Sequence, residues 1–286
     1  MAMTVTFRWL SAVFAALVVL YVVLAPANSA LYETVLFPCP DPRMPDLVSP
    51  LLQLRKSGVT CKEVFLRSAN GKSIYALFLE LPNTKRVFLY SHGKGNNLFG
   101  KIHVARNLLA CGGSVLMYDY QGYGRSEGRA SVQAACDDAV AAYDYLRQNE
   151  HRTARDIIGF GESFGSGVTG QLVERRQLGG VIFQAGFASL KSAACDALFW
   201  LRFYPDWAFP AQMMDNVAVF RKSHPPLLMI HGTKDTTVKY SNALSLFNAA
   251  VPPKMLLTIP GGRHGSTGNA EKYFGTIREF LSRNQI

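Results

Sequence analysis

Ile157-Ile158-Gly159-Phe160-Gly161-Glu162-Ser163-Phe164-Gly165 is the stretch on which the reading of this chain turns. Its first half is a short apolar run, as expected of a strand buried on both faces. Its second half matches Gly-x-Ser-x-Gly. Helical periodicity follows from Phe164 to Arg176. A strand that turns at once into a helix forces the serine into a strained conformation, and the flanking glycines let strand and helix pass without a Cβ clash. The Ser163 hydroxyl is then expected to project above the sheet. The pentapeptide alone is common by chance, and its place between strand and helix gives it weight.

Outward from this point the rhythm of strand and helix continues. Apolar runs at Arg86 to Ser91, Ser114 to Asp119, Gly180 to Gln184, Pro226 to His231 and Lys254 to Ile259 read as further buried parallel strands. Helical stretches accompany them at Leu98 to Ala110, Ser131 to Gln148, Ser241 to Ala250 and Asn269 to Ser282. Ahead of these, Cys61 to Ser68 and Ser73 to Leu81 flank Asn70-Gly71, a hairpin signal. Strands and helices in alternation predict an α/β fold with a mostly parallel central sheet flanked by helices.

A serine hydroxyl needs a base, and the base needs an acid to hold its tautomer. In this kind of sheet the expected chain order is Ser, Asp or Glu, His. After the run Leu227 to Ile230 comes His231-Gly232-Thr233-Lys234-Asp235, and after Leu256 to Ile259 comes Pro260-Gly261-Gly262-Arg263-His264-Gly265. Asp235 and His264 are thus expected, like Ser163, in loops beyond the carboxyl ends of strands, where open α/β sheets carry their sites. Of the other histidines, His103 and His151 read as solvated, His224 as a loop residue and His231 as a structural hydrogen-bonder. Two backbone N-H donors for an oxyanion are expected from Phe164 and from the loop Ser91 to Asn97, with Lys94 chosen and Gly95 the alternative. Glu162 and Glu127 lack the spacing of a carboxylate pair, and the Gly122 to Gly128 loop lacks the Gly-Lys-Ser ending of a phosphate cradle.

These motifs, in order, are His92-Gly93 with Asn97, Asp119 to Gly128, the Ser163 turn, His231 to Asp235 and Pro260 to His264. Together they resemble the alpha/beta-hydrolase fold serine hydrolases, in particular the membrane-anchored branch with a small lid. The resemblance runs from about Val64 to Phe280. It implies an alpha/beta-hydrolase fold in which Ser163 attacks, His264 moves the proton and Asp235 orients His264, with no metal and no cofactor. The expected activity is hydrolysis of carboxylic ester or thioester bonds, on a small molecule or an acylated protein. An amidase or peptidase with the same triad, or a non-catalytic tethered interaction protein, are the alternatives. Lys94 and Gln121 stand where that family usually has Asn and Arg.

The resemblance also places a lid at about 186–224, where the strand and helix rhythm lapses. Phe199, Trp200, Phe203, Tyr204, Trp207 and Phe209 put six aromatics into eleven positions there. Such a cluster can line an acyl pocket, touch a bilayer or simply pack.

The amino terminus differs from all of this. Leu10 to Ala25 is almost wholly apolar, so residues 1–30 read as a hydrophobic helix, a signal-anchor or a signal peptide. Arg8 before it, with Glu33 and Asp41 after it, places the domain on the non-cytoplasmic side, secreted if the segment is cleaved at Ala25-Pro26-Ala27. Six prolines between Pro26 and Pro50 make residues 31–60 a connector, leaving 61–286 as one domain. Thirty Lys and Arg against twenty Asp and Glu give a charge of +10, scattered without the stripe that nucleic acid requires. Five cysteines show no metal or redox spacing, and Cys39 with Cys61 is the pair to test for a bridge.

Overall fold

A computed structural model describes residues 2–26, 48–209 and 214–286. The expected connector between 31 and 47, with Cys39 in it, lies outside them. Among the described residues eight strands form one sheet: β1 (Thr60–Arg67), β2 (Ser73–Glu80), β3 (Val87–Ser91), β4 (Ser114–Tyr118), β5 (Ile157–Glu162), β6 (Gly180–Gln184), β7 (Leu227–Gly232) and β8 (Lys254–Ile259). Their order across the sheet is β1-β2-β4-β3-β5-β6-β7-β8. β2 is antiparallel to both its neighbours, and every later pairing is parallel.

The hairpin turns at Gly71, whose φ of 79° is one that glycine adopts without a Cβ penalty. Along β2, Ile74, Ala76 and Phe78 join one hydrophobic cluster while Tyr75, Leu77 and Leu79 join the other. This period of two divides the core into layers on the two faces of the sheet. The helices Val132–Gln148 and Phe164–Arg175 contribute to the first layer, and Ile102–Ala110 and Ala270–Arg283 to the second. The expected helix from Leu98 opens instead as a 3-10 turn, Leu98–Lys101, because the Asn97 side chain accepts from the Phe99 N-H and caps it.

Part of the stretch expected to be connector, before residue 61, is helical. A helix at Val48–Lys56 buries Leu51 and Leu54 against the second layer. Pro50 sits in its first turn, where a missing N-H costs no intrahelical bond, so proline content concealed it. Cys61 carries a free thiol.

The amino-terminal segment is helical over Ala2–Val23 and exposes Trp9, Phe14, Leu17 and Leu20. No helix among the described residues is long and apolar enough to cross a membrane. The far end of this helix meets the segment after β6: the Tyr21 and Tyr204 rings stack at 4.4 Å, and the Tyr204 hydroxyl donates to the Tyr21 carbonyl at 2.6 Å. Leu24 and Ala25 pack on a small cluster of Leu201, Tyr204, Ala208 and Phe209. The six aromatics expected to act together therefore divide. Tyr204 and Phe209 are buried, whereas Phe199, Phe203 and Trp207 face solvent.

Candidate active site

Ser163 lies between β5 and the helix Phe164–Arg175 with φ 52° and ψ −116°, a conformation costly for a residue with a Cβ. The crossing is tight. A Cβ on Gly165 would stand 1.9 Å from the Ser91 carbonyl oxygen, and one on Gly161 would stand 2.5 Å from that of Gly165. Both positions therefore require glycine, as the motif demands. The turn is held by the Ser163 N-H, which donates to the Gln184 carbonyl at 2.9 Å, and by the Ser166 hydroxyl, which donates to the Ser163 carbonyl at 2.7 Å.

His264 Nδ1-H donates to Asp235 Oδ2 at 2.8 Å. Asp235 Oδ1 accepts from the N-H groups of Thr237 and Val238, at 2.9 Å each, and His231 Nε2 lies 3.3 Å from Oδ2. Burial opposes ionisation of this carboxyl, yet the donors from His231, His264 and Val238 outweigh it and hold Asp235 well below the usual carboxylate range. Asp235 is a fixed negative charge aimed at one edge of the His264 ring. His231 also donates from Nε2 to the Val238 carbonyl at 2.9 Å, the structural role expected of it.

The loop after β3 passes directly over the serine: a Cβ on Gly93 would touch the Ser163 Cβ at 3.4 Å. Three of its carbonyls are engaged in hydrogen bonds. His92 O accepts from the Tyr120 hydroxyl at 2.8 Å, Gly93 O from His92 Nδ1-H at 2.7 Å, and Lys94 O from the Tyr123 hydroxyl at 2.8 Å. A carbonyl can only accept, so His92 carries its proton on Nδ1. Phe164 opens its helix on the other side of the serine, where the helix dipole is positive. Gly93, the residue before Lys94, and Phe164 thus both adjoin Ser163.

The rim loop is structural, as its sequence indicated. Ser126 Oγ donates to Asp119 O at 2.7 Å and accepts from the Tyr75 N-H at 2.9 Å. Gln121 is buried, bridging Asp138, Ser68 and Asn70 through its side-chain amide. Glu162 and Glu127 are not paired. Glu162 receives Lys101 Nζ at 2.9 Å and the Tyr90 hydroxyl, and Glu127 receives the Ser73 N-H at 3.0 Å.

Sequence reasoning missed Gln184, the last residue of β6. Besides holding the Ser163 N-H through its carbonyl, it donates from Nε2 to the Gly265 carbonyl at 2.8 Å and accepts from the Tyr273 hydroxyl at 2.9 Å. One polar residue ending an apolar run was the only signal.

Comparison with known proteins agrees with this fold. A family model described as serine aminopeptidase, S33, matches residues 82–217, somewhat less than half of the chain. Human alpha/beta hydrolase domain-containing protein 17B is 27% identical over 236 residues, covering 81% of this chain and 78% of that protein. The 17C protein of Xenopus tropicalis is 28% identical, covering 77% of this chain and 70% of its own length. Among solved structures, the Pyrococcus furiosus esterase Pf2001 superposes with a TM-score of 0.69 at 19% identity, over 85% of this chain and 97% of that one. An esterase domain from Rhodothermus marinus gives 0.58 at 20% identity, over 78% and 97%. The chain has the alpha/beta-hydrolase fold, and these likenesses support a hydrolase.

Proposed function

We propose that the protein hydrolyses carboxylic ester or thioester bonds through an acyl-enzyme. Ser163 Oγ attacks the substrate carbonyl as His264 Nε2 takes its proton, and Asp235 holds the His264 tautomer and stabilises the imidazolium that forms. The backbone N-H groups of Phe164 and Lys94 receive the oxyanion. On collapse His264 returns the proton to the leaving alcohol or thiol, and water activated by the same imidazole frees the acid and restores Ser163. No cofactor enters these steps. The observation that carries the reading is the 2.8 Å contact of His264 with an ionised Asp235 in loops beyond the strand ends, beside a strained serine turn.

Acylated proteins or small esters are the substrate class we propose, on the aromatic-rich segment after β6. We also propose that the amino-terminal segment tethers the protein to a membrane with the domain on the non-cytoplasmic side, which alkaline extraction and protease protection would test. A second reading, amide hydrolysis, is supported by the description of the matching family model. Turnover of p-nitrophenyl esters of increasing chain length, against a peptide p-nitroanilide, separates the two. The account expects ester cleavage that Ser163→Ala abolishes, with preference for longer acyl chains. Faster anilide cleavage, or preference for acetate, would overturn the ester or the acyl part respectively.

A further inference from the structure

We propose that Gln184 is the positioning residue that sets His264 against Ser163, an inference that rests on the reaction proposed above. Three bonds carry it. The Gln184 carbonyl holds the Ser163 N-H at 2.9 Å, and its side-chain Nε2 holds the Gly265 carbonyl, next in the chain to His264, at 2.8 Å. One residue thus grips the serine turn by its main chain and the histidine loop by its side chain.

The third bond removes the side chain's freedom. Tyr273, buried on the helix Ala270–Arg283, donates its hydroxyl to Gln184 Oε1 at 2.9 Å. A carbonyl can only accept, so Nε2 faces Gly265 and Oε1 faces Tyr273 without ambiguity. Gln184 itself is 4% exposed and is paired in the sheet with Glu162 on one side and Ile230 on the other. Neither the backbone nor the amide has room to drift.

The histidine loop has two halves with different anchors. Before His264, Gly261 N-H donates to Thr233 Oγ1 at 2.8 Å, and the Lys234 N-H donates to the Gly262 carbonyl at 2.9 Å. Those bonds tie it to the loop that carries Asp235. After His264, Gly265, with φ 70°, is tied to Gln184 and so to the serine. The imidazole hangs between an anchor that sets its distance to the carboxylate and one that sets its distance to the hydroxyl. Loss of the second should leave the His264–Asp235 contact intact and spoil only the approach to Ser163.

Steady-state kinetics and fluorophosphonate labelling rates of the full chain, with Gln184→Leu, Gln184→Glu and Tyr273→Phe, test this. A misplacement near 1 Å costs about 100-fold, so Gln184→Leu should lose kcat on that scale with KM nearly unchanged, and label correspondingly slowly. Gln184→Glu keeps the acceptor for Tyr273 but sets a carboxylate against the Gly265 carbonyl. It should lose kcat as well, and move the acidic limb of its kcat/KM profile to higher pH. Tyr273→Phe leaves the Gly265 bond and should lose less than either. A purely structural role would lower the melting temperature of folded variants without moving kcat or the pH limb, and that result would overturn the proposal. If Gln184→Leu does not fold, the near-isosteric Gln184→Glu decides in the same way. Failure of the wild-type protein to label at Ser163 would remove the underlying reaction, whereas normal labelling in wild type and variants alike would remove Gln184 alone.

Discussion

Two imidazole-carboxylate pairs flank the candidate site, and they are set up in opposite senses. His264 meets Asp235 at 2.8 Å, and its side chain is 27% exposed. His92 lies 3.5 Å from Asp119 with both side chains buried. The difference is in the donors to each carboxylate. Asp235 is surrounded by two backbone N-H groups and two imidazoles, which keep it ionised despite burial. Asp119 receives the Leu98 N-H on Oδ1 at 2.7 Å, and Oδ2 has no hydrogen-bond partner among the described residues. Burial pushes its pKa up to about 7, and the Leu98 bond only partly offsets this. Burial also lowers the His92 pKa to about 4, so between about pH 4 and 7 that pair is neutral while Asp235 is charged. Donor count, not the residue types, separates the pair proposed to move a proton from one that props up the loop carrying Lys94.

The largest effect expected from this contrast is at Asp235. Asp235→Asn should fold and yet lose on the order of 10⁴-fold in kcat, because the amide no longer selects the Nδ1-H tautomer. An ester assay on the folded variant checks it, and near-wild-type turnover would erase the distinction between the pairs. Asp235 also bears on stability. Its pKa is depressed on folding, so its contribution is present above the ordinary carboxylate range and is lost as pH falls through the folded value.

The sign at Asp119 is reversed. Its folded pKa of about 7 exceeds the ordinary 3.8, so the favourable contribution is complete below 3.8 and lost as pH rises through about 7. Asp119→Asn removes this dependence. Wild type should lose on the order of a few kcal/mol relative to the variant between pH 4 and 8, while kcat at acidic pH stays within about 10-fold, since any shift of the loop should fall well short of the ~1 Å that costs about 100-fold. Denaturant unfolding at several pH values reads the first, and a parallel stability profile in the variant would show that Asp119 is ionised throughout.

The smallest effect belongs to His231, which supports Asp235 without facing the serine. His231→Gln should cost about 1 kcal/mol of stability, as expected for a single hydrogen bond. A thermal melt and a kcat measurement together would detect any larger role.

How much of this was legible beforehand follows from where each signal resides. The strands announced themselves as apolar runs such as Leu227 to Ile230, and the candidate triad could be read because Ser163, Asp235 and His264 stand just past such runs among turn-forming glycines. The strand order was not legible, since β4 slips between β2 and β3 through contacts that no local pattern encodes. The helix Val48–Lys56 was hidden by proline, which is harmless in a first turn. The aromatics after β6 showed composition but not direction, and half of them turned outward. The role of Gln184 and the raised pKa of Asp119 depend on groups brought from distant parts of the chain, so single residues gave no hint of either.

Intact-mass and peptide-mass analysis after reaction with a fluorophosphonate tests the central claim most directly. The account predicts one adduct, on Ser163, formed quickly in wild type and lost or greatly slowed in His264→Ala and Asp235→Asn proteins that remain folded. No adduct on the folded wild-type protein, or an adduct on Ser163 formed at an equal rate in all three, would contradict it.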